Sequence, residues 1–252
     1  MSSVRPLALI TGVSRTVGIG ASIARTLANA GWDIAFSYWR PYDASMPWGS
    51  DPYEVVSLKE ELINLGATVV EIEADLSLTS TPESIFETVN REIGSVSALI
   101  MSHCFSVDSN IFSTTIESFD RHFEVNARAS WLLVRSFAEQ FTGEPGAGRI
   151  IGLTSDHTAE NLPYGASKGA MDRIIIASAT ELRERGITAN VINPGATDTG
   201  WMTEDLKTDI EGITLSGRIG TAQDCANLIK FLCSEDGRWI NGQLLYSNGG
   251  LQ

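Results

Sequence analysis

The chain has 252 residues, 43% of them hydrophobic and 19% charged, which is enough apolar material for one large α/β core. Its formal net charge of −13 argues against nucleic acid or anionic membranes as partners, so an anionic ligand would need local positive features to hold it. Cys104, Cys225 and Cys233 form no CxxC pair, the first apolar run is too short for a leader, and no stretch approaches the ~18 apolar residues of a membrane span, so a reducing, cytoplasmic setting is expected.

Apolar runs of strand length alternate with longer segments of helical period. Residues 7–11 read as a strand and 18–30 as a helix, with Ile19, Ile23, Ala24 and Leu27 on one face. A strand at 34–38, a helix at 54–65, a strand at 68–73, a helix at 82–93 and a strand at 98–101 follow. One long helix is expected over 116–141, then a strand at 149–153 and a helix at 163–185. A strand at 188–192, a helix at 221–233 and a strand at 243–246 complete the chain. This alternation predicts a single α/β domain, a doubly wound parallel sheet with helices on both faces. Residues 39–52 and 194–217 are expected to be loops. Both lie past strand carboxyl ends, where open α/β sheets bind ligands.

Between the first strand and the first helix stand Gly12, Gly18 and Gly20, with Ser14, Arg15 and Ile19 among them. Glycines there let the backbone approach a pyrophosphate, and the helix N-terminus offers free N–H groups. The plainer alternative is a tight turn and nothing more. An NAD-preferring site wants an acid at the end of the second strand, but Asp33 lies at its beginning. Arg40 at the far end, with Arg15, could clamp a 2′-phosphate bidentately, which favours NADP(H) and leaves NAD(H) possible. Otherwise both are solvated surface arginines.

Tyr164 and Lys168 sit four residues apart near the start of a predicted helix and so share a face. A free phenol has a pKa near ~10, and an ammonium ~4 Å away at a dielectric of ~20 favours the phenolate by ~4 kcal/mol. That would bring the tyrosine toward acid–base work at neutrality.

These residues together resemble the short-chain dehydrogenase/reductase family across nearly the whole chain. The TGxxxGxG loop corresponds to Thr11 through Gly20, the acidic residue after strand three to Asp75 beside Leu76, and the helix Asn to Asn126. Ser155 closes strand five, Tyr164 and Lys168 form YxxxK, and Asn193-Pro194-Gly195 with Thr197 and Thr199 follows strand six. The tail is similar to that of bacterial 3-oxoacyl-[acyl carrier protein] reductases. The resemblance implies a Rossmann-type fold and hydride exchange between a nicotinamide and a carbonyl or secondary alcohol. In that scheme Tyr164 gives the proton, Lys168 lowers its pKa and holds the ribose, Ser155 bonds the substrate oxygen, and Asn126 holds a water toward Lys168. Asp75 and Leu76 would meet the adenine. Thr197 and Thr199, after Pro194 and Gly195, would meet the nicotinamide amide and pyrophosphate. It also implies a homotetramer (or homodimer) built on the helices at 116–141 and 163–185, through faces such as Ile174, Ile175 and Ala179. A small carbonyl compound is at least as good a substrate as an acidic carrier protein, for which no basic docking patch is visible.

Four departures stand out. The glycine loop has five residues between Gly12 and Gly18 where the family usually has three, as in the enoyl reductase branch, but that branch spaces its Tyr and Lys seven apart. Met101-Ser102-His103-Cys104 replaces NNAG and puts local cofactor contacts in doubt. His103 and Cys104, as sequence neighbours on an extended strand, point apart rather than form a catalytic pair. Ser155 and Tyr164 are nine apart where a dozen is usual, so the pocket is open or Ser155 is displaced, with Thr154 and His157 as reserve donors. Residues 39–52, carrying Trp39, Tyr42 and Trp48, are an insertion that covers the cofactor, meets another subunit, or has no role. His122 reads as a surface or capping residue, Trp131 and Phe137 as packing residues, Trp201 and Met202 as pocket lining. These departures leave two alternatives, a cofactor-binding sensor or structural subunit that has lost catalysis, and enoyl reduction, which rests only on the length of the glycine loop.

Overall fold

Strands covered on both faces need continuous apolar runs, and β1 (Leu7–Thr11) is buried at every position. In chain order β2 (Asp33–Tyr38), β3 (Val69–Glu73), β4 (Ala98–Met101), β5 (Gly148–Leu153), β6 (Ile187–Asn193), β7 (Thr197–Asp198), β8 (Gly220–Thr221) and β9 (Leu244–Tyr246) follow. The computed structural model describes residues 5–250; the first four, part of the segment weighed as a leader, lie outside them. Seven strands form one sheet in the order β3-β2-β1-β4-β5-β6-β9, with every pairing parallel. The order reverses between β1 and β4, so the crevice of a doubly wound sheet opens there. β7 and β8 pair with each other outside it.

The pleat sends alternate side chains of β1 to opposite layers. Ala8 and Ile10 pack under α1 (Ile19–Asn29), α3 (Pro52–Asn64) and α9 (Ala222–Cys233), with Ile23, Leu27, Leu58 and Ile229. Leu7 and Leu9 face α4 (Thr81–Glu92), α6 (Ala129–Gln140) and α7 (Leu162–Glu181), with Phe86, Leu133, Phe137 and Met171. Cys225 and Cys233 are free thiols inside the first layer. Among the described residues no helix is long and apolar enough to cross a membrane.

Several expectations need correction. The single helix over 116–141 is α5 (Ile116–His122), a π-helical turn (Phe123–Arg128) and α6. From the first turn of α6, Ser130 Oγ donates to the Asn126 carbonyl of that turn at 2.8 Å. The looser turn rotates everything beyond it relative to a plain α-helix, as π-bulges at functional sites do. His122 is fully buried, not a surface residue. The Val107 N–H donates to its Nε2 at 3.1 Å and its Nδ1 pairs with the Ser118 carbonyl at 2.6 Å. Trp131 is half exposed, whereas Phe137 is sealed between Phe86 and Phe141. Ile175 and Ala179 are in the core of this subunit and cannot form a surface for another. Within 39–52 the chain forms α2 (Arg40–Ser45), and within 194–217 it forms α8 (Glu204–Ile213), capped by the Thr203 hydroxyl. The helix at 163–185 ends as α7 and a 3-10 turn, stopped by Gly186 in the left-handed region.

Candidate active site

A cavity of about 1100 Å³ runs across the carboxyl ends of the strands. The glycine loop forms one end. At Gly12 the backbone has φ +76°, and a Cβ would stand 2.5 Å from His103 Cα, so no other residue fits. Gly18 is the N-cap of α1 and supplies no side-chain acceptor, which leaves the first N–H groups of the helix free for an anion. The loop lines the cavity through Gly12, Ser14, Arg15, Gly18, Ile19 and Gly20. A pyrophosphate fits this wall on donor chemistry alone.

The two arginines part company. Arg15 lines the cavity, its guanidinium 5.0 Å over the Trp48 ring. Arg40 is bound by Glu73, lies over the Tyr38 ring and is not among the cavity-lining residues. Asp75 and Leu76 line the same end. Burial opposes ionisation of Asp75, but hydrogen bonds from Ser77 and the Arg121 guanidinium hold its carboxyl below the usual range.

At the other end α7 presents Tyr164. Its hydroxyl neighbours Ser155, so the short connection between them brings the two together on the cavity wall. The loop achieves this by folding over the helix start: the His157 N–H donates to Ser155 Oγ at 3.2 Å, and a Cβ on Gly165 would stand 2.0 Å from the His157 carbonyl. Lys168 is almost fully buried, and its Nζ donates to the Leu153 carbonyl at 2.8 Å and the His103 carbonyl at 3.2 Å. It stands 5.9 Å from the Tyr164 ring centroid. The expected depression of the phenol is not what the site shows. Burial raises Tyr164 above its ordinary value, against the opposing influence of Ser155, and burial also lowers Lys168. Burial therefore favours the protonated tyrosine.

The Met101–Cys104 replacement is structural at His103. Its Nε2 pairs with the Val125 carbonyl at 3.0 Å, which fixes that nitrogen as the donor, and Thr11 Oγ1 lies 2.6 Å from its Nδ1. Burial and the Lys168 charge lower its pKa to about 3, so the ring is neutral. It ties β1 and β4 to the π turn. Cys104 takes the opposite direction and lines the cavity, its thiol raised by burial. Asn126 is sealed: Nδ2 donates to the Phe105 carbonyl and Ser167 Oγ, each at 2.9 Å, and Oδ1 accepts from the Phe105 N–H at 2.7 Å. Its side chain makes no hydrogen bond to Lys168 among the described residues.

Pro194, Gly195, Thr197 and Thr199 line the cavity beyond β6, and Trp201, Met202, Leu206 and Ile210 close it above. The sequence presents Tyr42 only as part of an aromatic insertion. Its hydroxyl donates to the Ser106 carbonyl at 3.2 Å and its ring lies 5.6 Å from Phe105. The insertion thus spans from the end of β2, past β1, to the segment after β4. The run of aromatics among prolines was the available signal; which strand end they would reach was not.

A family model described as enoyl-(acyl carrier protein) reductase matches residues 12–252. The chain is similar to an uncharacterized oxidoreductase of Bacillus subtilis (strain 168), YjdA, at 35% identity over 97% of this chain and 96% of that protein. It is 31% identical to an NADPH-dependent aldehyde reductase-like chloroplastic protein of Arabidopsis thaliana, over 97% of this chain and 93% of the other. Among solved structures, a short chain dehydrogenase from Burkholderia cenocepacia J2315 in complex with NADP superposes with a TM-score of 0.86 at 28% identity, over 97% of each chain.

The neutral His103 generates a stability prediction. Its folded value of about 3 lies below the ordinary 6.5, so its contribution is complete above the ordinary value and is lost as pH falls toward the folded one. Buried His122, also lowered, acts with the same sign. The urea midpoint is expected to fall between neutral and mildly acidic pH, and to fall less in His103→Gln. An equal fall in both proteins removes His103 from the account.

Proposed function

The chain belongs to the short-chain dehydrogenase/reductase family of oxidoreductases, and on that premise we propose that it interconverts a carbonyl and a secondary alcohol with NADP(H) as the preferred cofactor. The observation that carries this reading is the meeting of Tyr164 and Ser155 on one cavity wall, with the Lys168 ammonium fixed beside the tyrosine. When bound, the cofactor supplies or accepts the hydride. The glycine loop would hold its pyrophosphate, Asp75 and Leu76 its adenine, and Pro194, Gly195, Thr197 and Thr199 its nicotinamide end. Arg15 is the arginine placed for a 2′-phosphate, since Arg40 is engaged by Glu73.

Tyr164 donates its proton to the carbonyl oxygen, and Ser155 donates a hydrogen bond to the same atom, where negative charge develops. The adjacent Lys168 charge stabilises the phenolate that remains. Asn126 serves by pinning Phe105 and Ser167 around this group. The family model's enoyl description supports a second reading, C=C reduction, but Tyr164 and Lys168 stand one helical turn apart and Ser155 completes a carbonyl-oxygen site. Besides the groups assigned to the cofactor, the cavity is lined by the apolar Phe105, Trp201, Met202 and Leu206 and by the acidic Asp108 and Asp156. It suits an uncharged, apolar carbonyl compound better than a keto acid or an acidic carrier protein. We also propose assembly as a homotetramer (or homodimer), supported by the exposed Ile116, Phe119 and Trp131 on α5 and α6.

NADPH oxidation with an activated aromatic ketone is expected to exceed that with its carboxylate analogue or an enoyl thioester. Tyr164→Phe should lower kcat by ~10²–10⁴-fold and leave NADPH binding intact. Arg15→Ala should weaken NADPH about tenfold or more with little effect on NADH, the loss of one charge-assisted contact. Turnover of the enoyl thioester alone would sink the carbonyl reading. Sedimentation at micromolar concentration is expected to give an oligomer, and a monomer refutes the assembly.

A further inference from the structure

Two buried polar atoms lack a well-formed hydrogen bond where α7 passes the end of β5. Thr154 Oγ1 and Asp172 Oδ1 are sealed from solvent and neighbour one another, but neither completes a hydrogen bond of normal geometry. Native interiors rarely leave such groups unpaired, so each requires a reason. Asp172 lies one turn beyond Lys168, as Lys168 lies one turn beyond Tyr164, so the three share one face of α7. The groups neighbour one another: burial raises the Asp172 carboxyl, while the Thr154 hydroxyl, Lys168 and Arg173 act the other way.

Lys168 supplies the reason. Its ammonium rests on two carbonyls and has no ion-pair partner among the described residues. A sealed cation is unfavourable unless an anion compensates it. The titratable groups that face it are His103 and Cys104 from the segment after β4, and Tyr164 and Asp172 from its own helix. His103 is neutral, and burial keeps the Cys104 thiol and the Tyr164 phenol protonated. That leaves Asp172 as the one member of the group able to carry negative charge beside Lys168.

We propose that Asp172, with Thr154 beside it, is a positioning residue whose carboxylate keeps Lys168 protonated and directed at the Leu153 and His103 carbonyls. The inference rests on the carbonyl reading above, because Lys168 matters to turnover only through Tyr164.

The test is kcat for NADPH-dependent ketone reduction across neutral and alkaline pH, in wild type, Asp172→Asn, Asp172→Glu and Thr154→Val. Losing the anion lowers the Lys168 pKa, so in Asp172→Asn the alkaline limb should move to lower pH by about one unit with KM little changed. Asp172→Glu should restore it. Thr154→Val should move the limb the same way by less, and it stands in if Asp172→Asn does not fold. A purely structural role would lower the urea midpoint without moving the limb. If wild type turns over and its profile superimposes on that of the variants, the inference is overturned and the functional reading survives. If wild type reduces no carbonyl compound, the functional reading fails and takes the inference with it.

Discussion

The site depends on one buried ammonium. Lys168 Nζ reaches the carbonyls of Leu153, at the end of β5, and His103, just past β4, and so locks α7 to two neighbouring strands at the point where the sheet opens. A charge placed there must be satisfied by fixed dipoles, because water is excluded. Those dipoles are fixed in turn. His103 is held from both sides by Thr11 and Val125, and Gly12 lies so close to its backbone that a side chain at position 12 would have nowhere to go. The glycine loop, the His103 clamp and the first turns of α7 are thus parts of one packed unit, and the position of Tyr164 follows from it.

The same unit sets the protonation states. Burial raises Tyr164 and lowers His103, which favours a protonated phenol and a neutral imidazole that acts as a brace. An isolated Tyr–Lys pair argues for a phenolate, and a sealed one argues for a phenol. The difference is desolvation, the largest influence on Tyr164. The aromatic insertion adds to the enclosure. Tyr42 crosses to Ser106 while Trp48 carries Arg15, so the segment after β2 joins both ends of the cavity.

Much of this was legible in the residues. Alternating apolar runs and helical periods fixed a parallel, doubly covered sheet, because strands such as 7–11 have no polar face to expose. Glycine spacing after the first strand and the Tyr164–Lys168 interval placed the two ends of the site, since both depend on local backbone geometry. Helix 116–141 was legible as helical but not as broken, because a π turn has the same composition as its flanks and is stabilised by what it meets, here Asn126 against Phe105 and Ser167.

What the sequence alone determined is therefore the order of elements, the sheet, and the residues near the strand ends, all consequences of periodicity and short-range spacing. Only the tertiary structure decided where long side chains point. Arg40 turned to Glu73, His122 went inside, Ile175 and Ala179 were spent on this subunit's own core, and Asp172 came to lie beside Thr154. Those outcomes turn on contacts between segments distant in the chain, where burial and the nearest opposite charge compete, and a linear pattern does not record that competition.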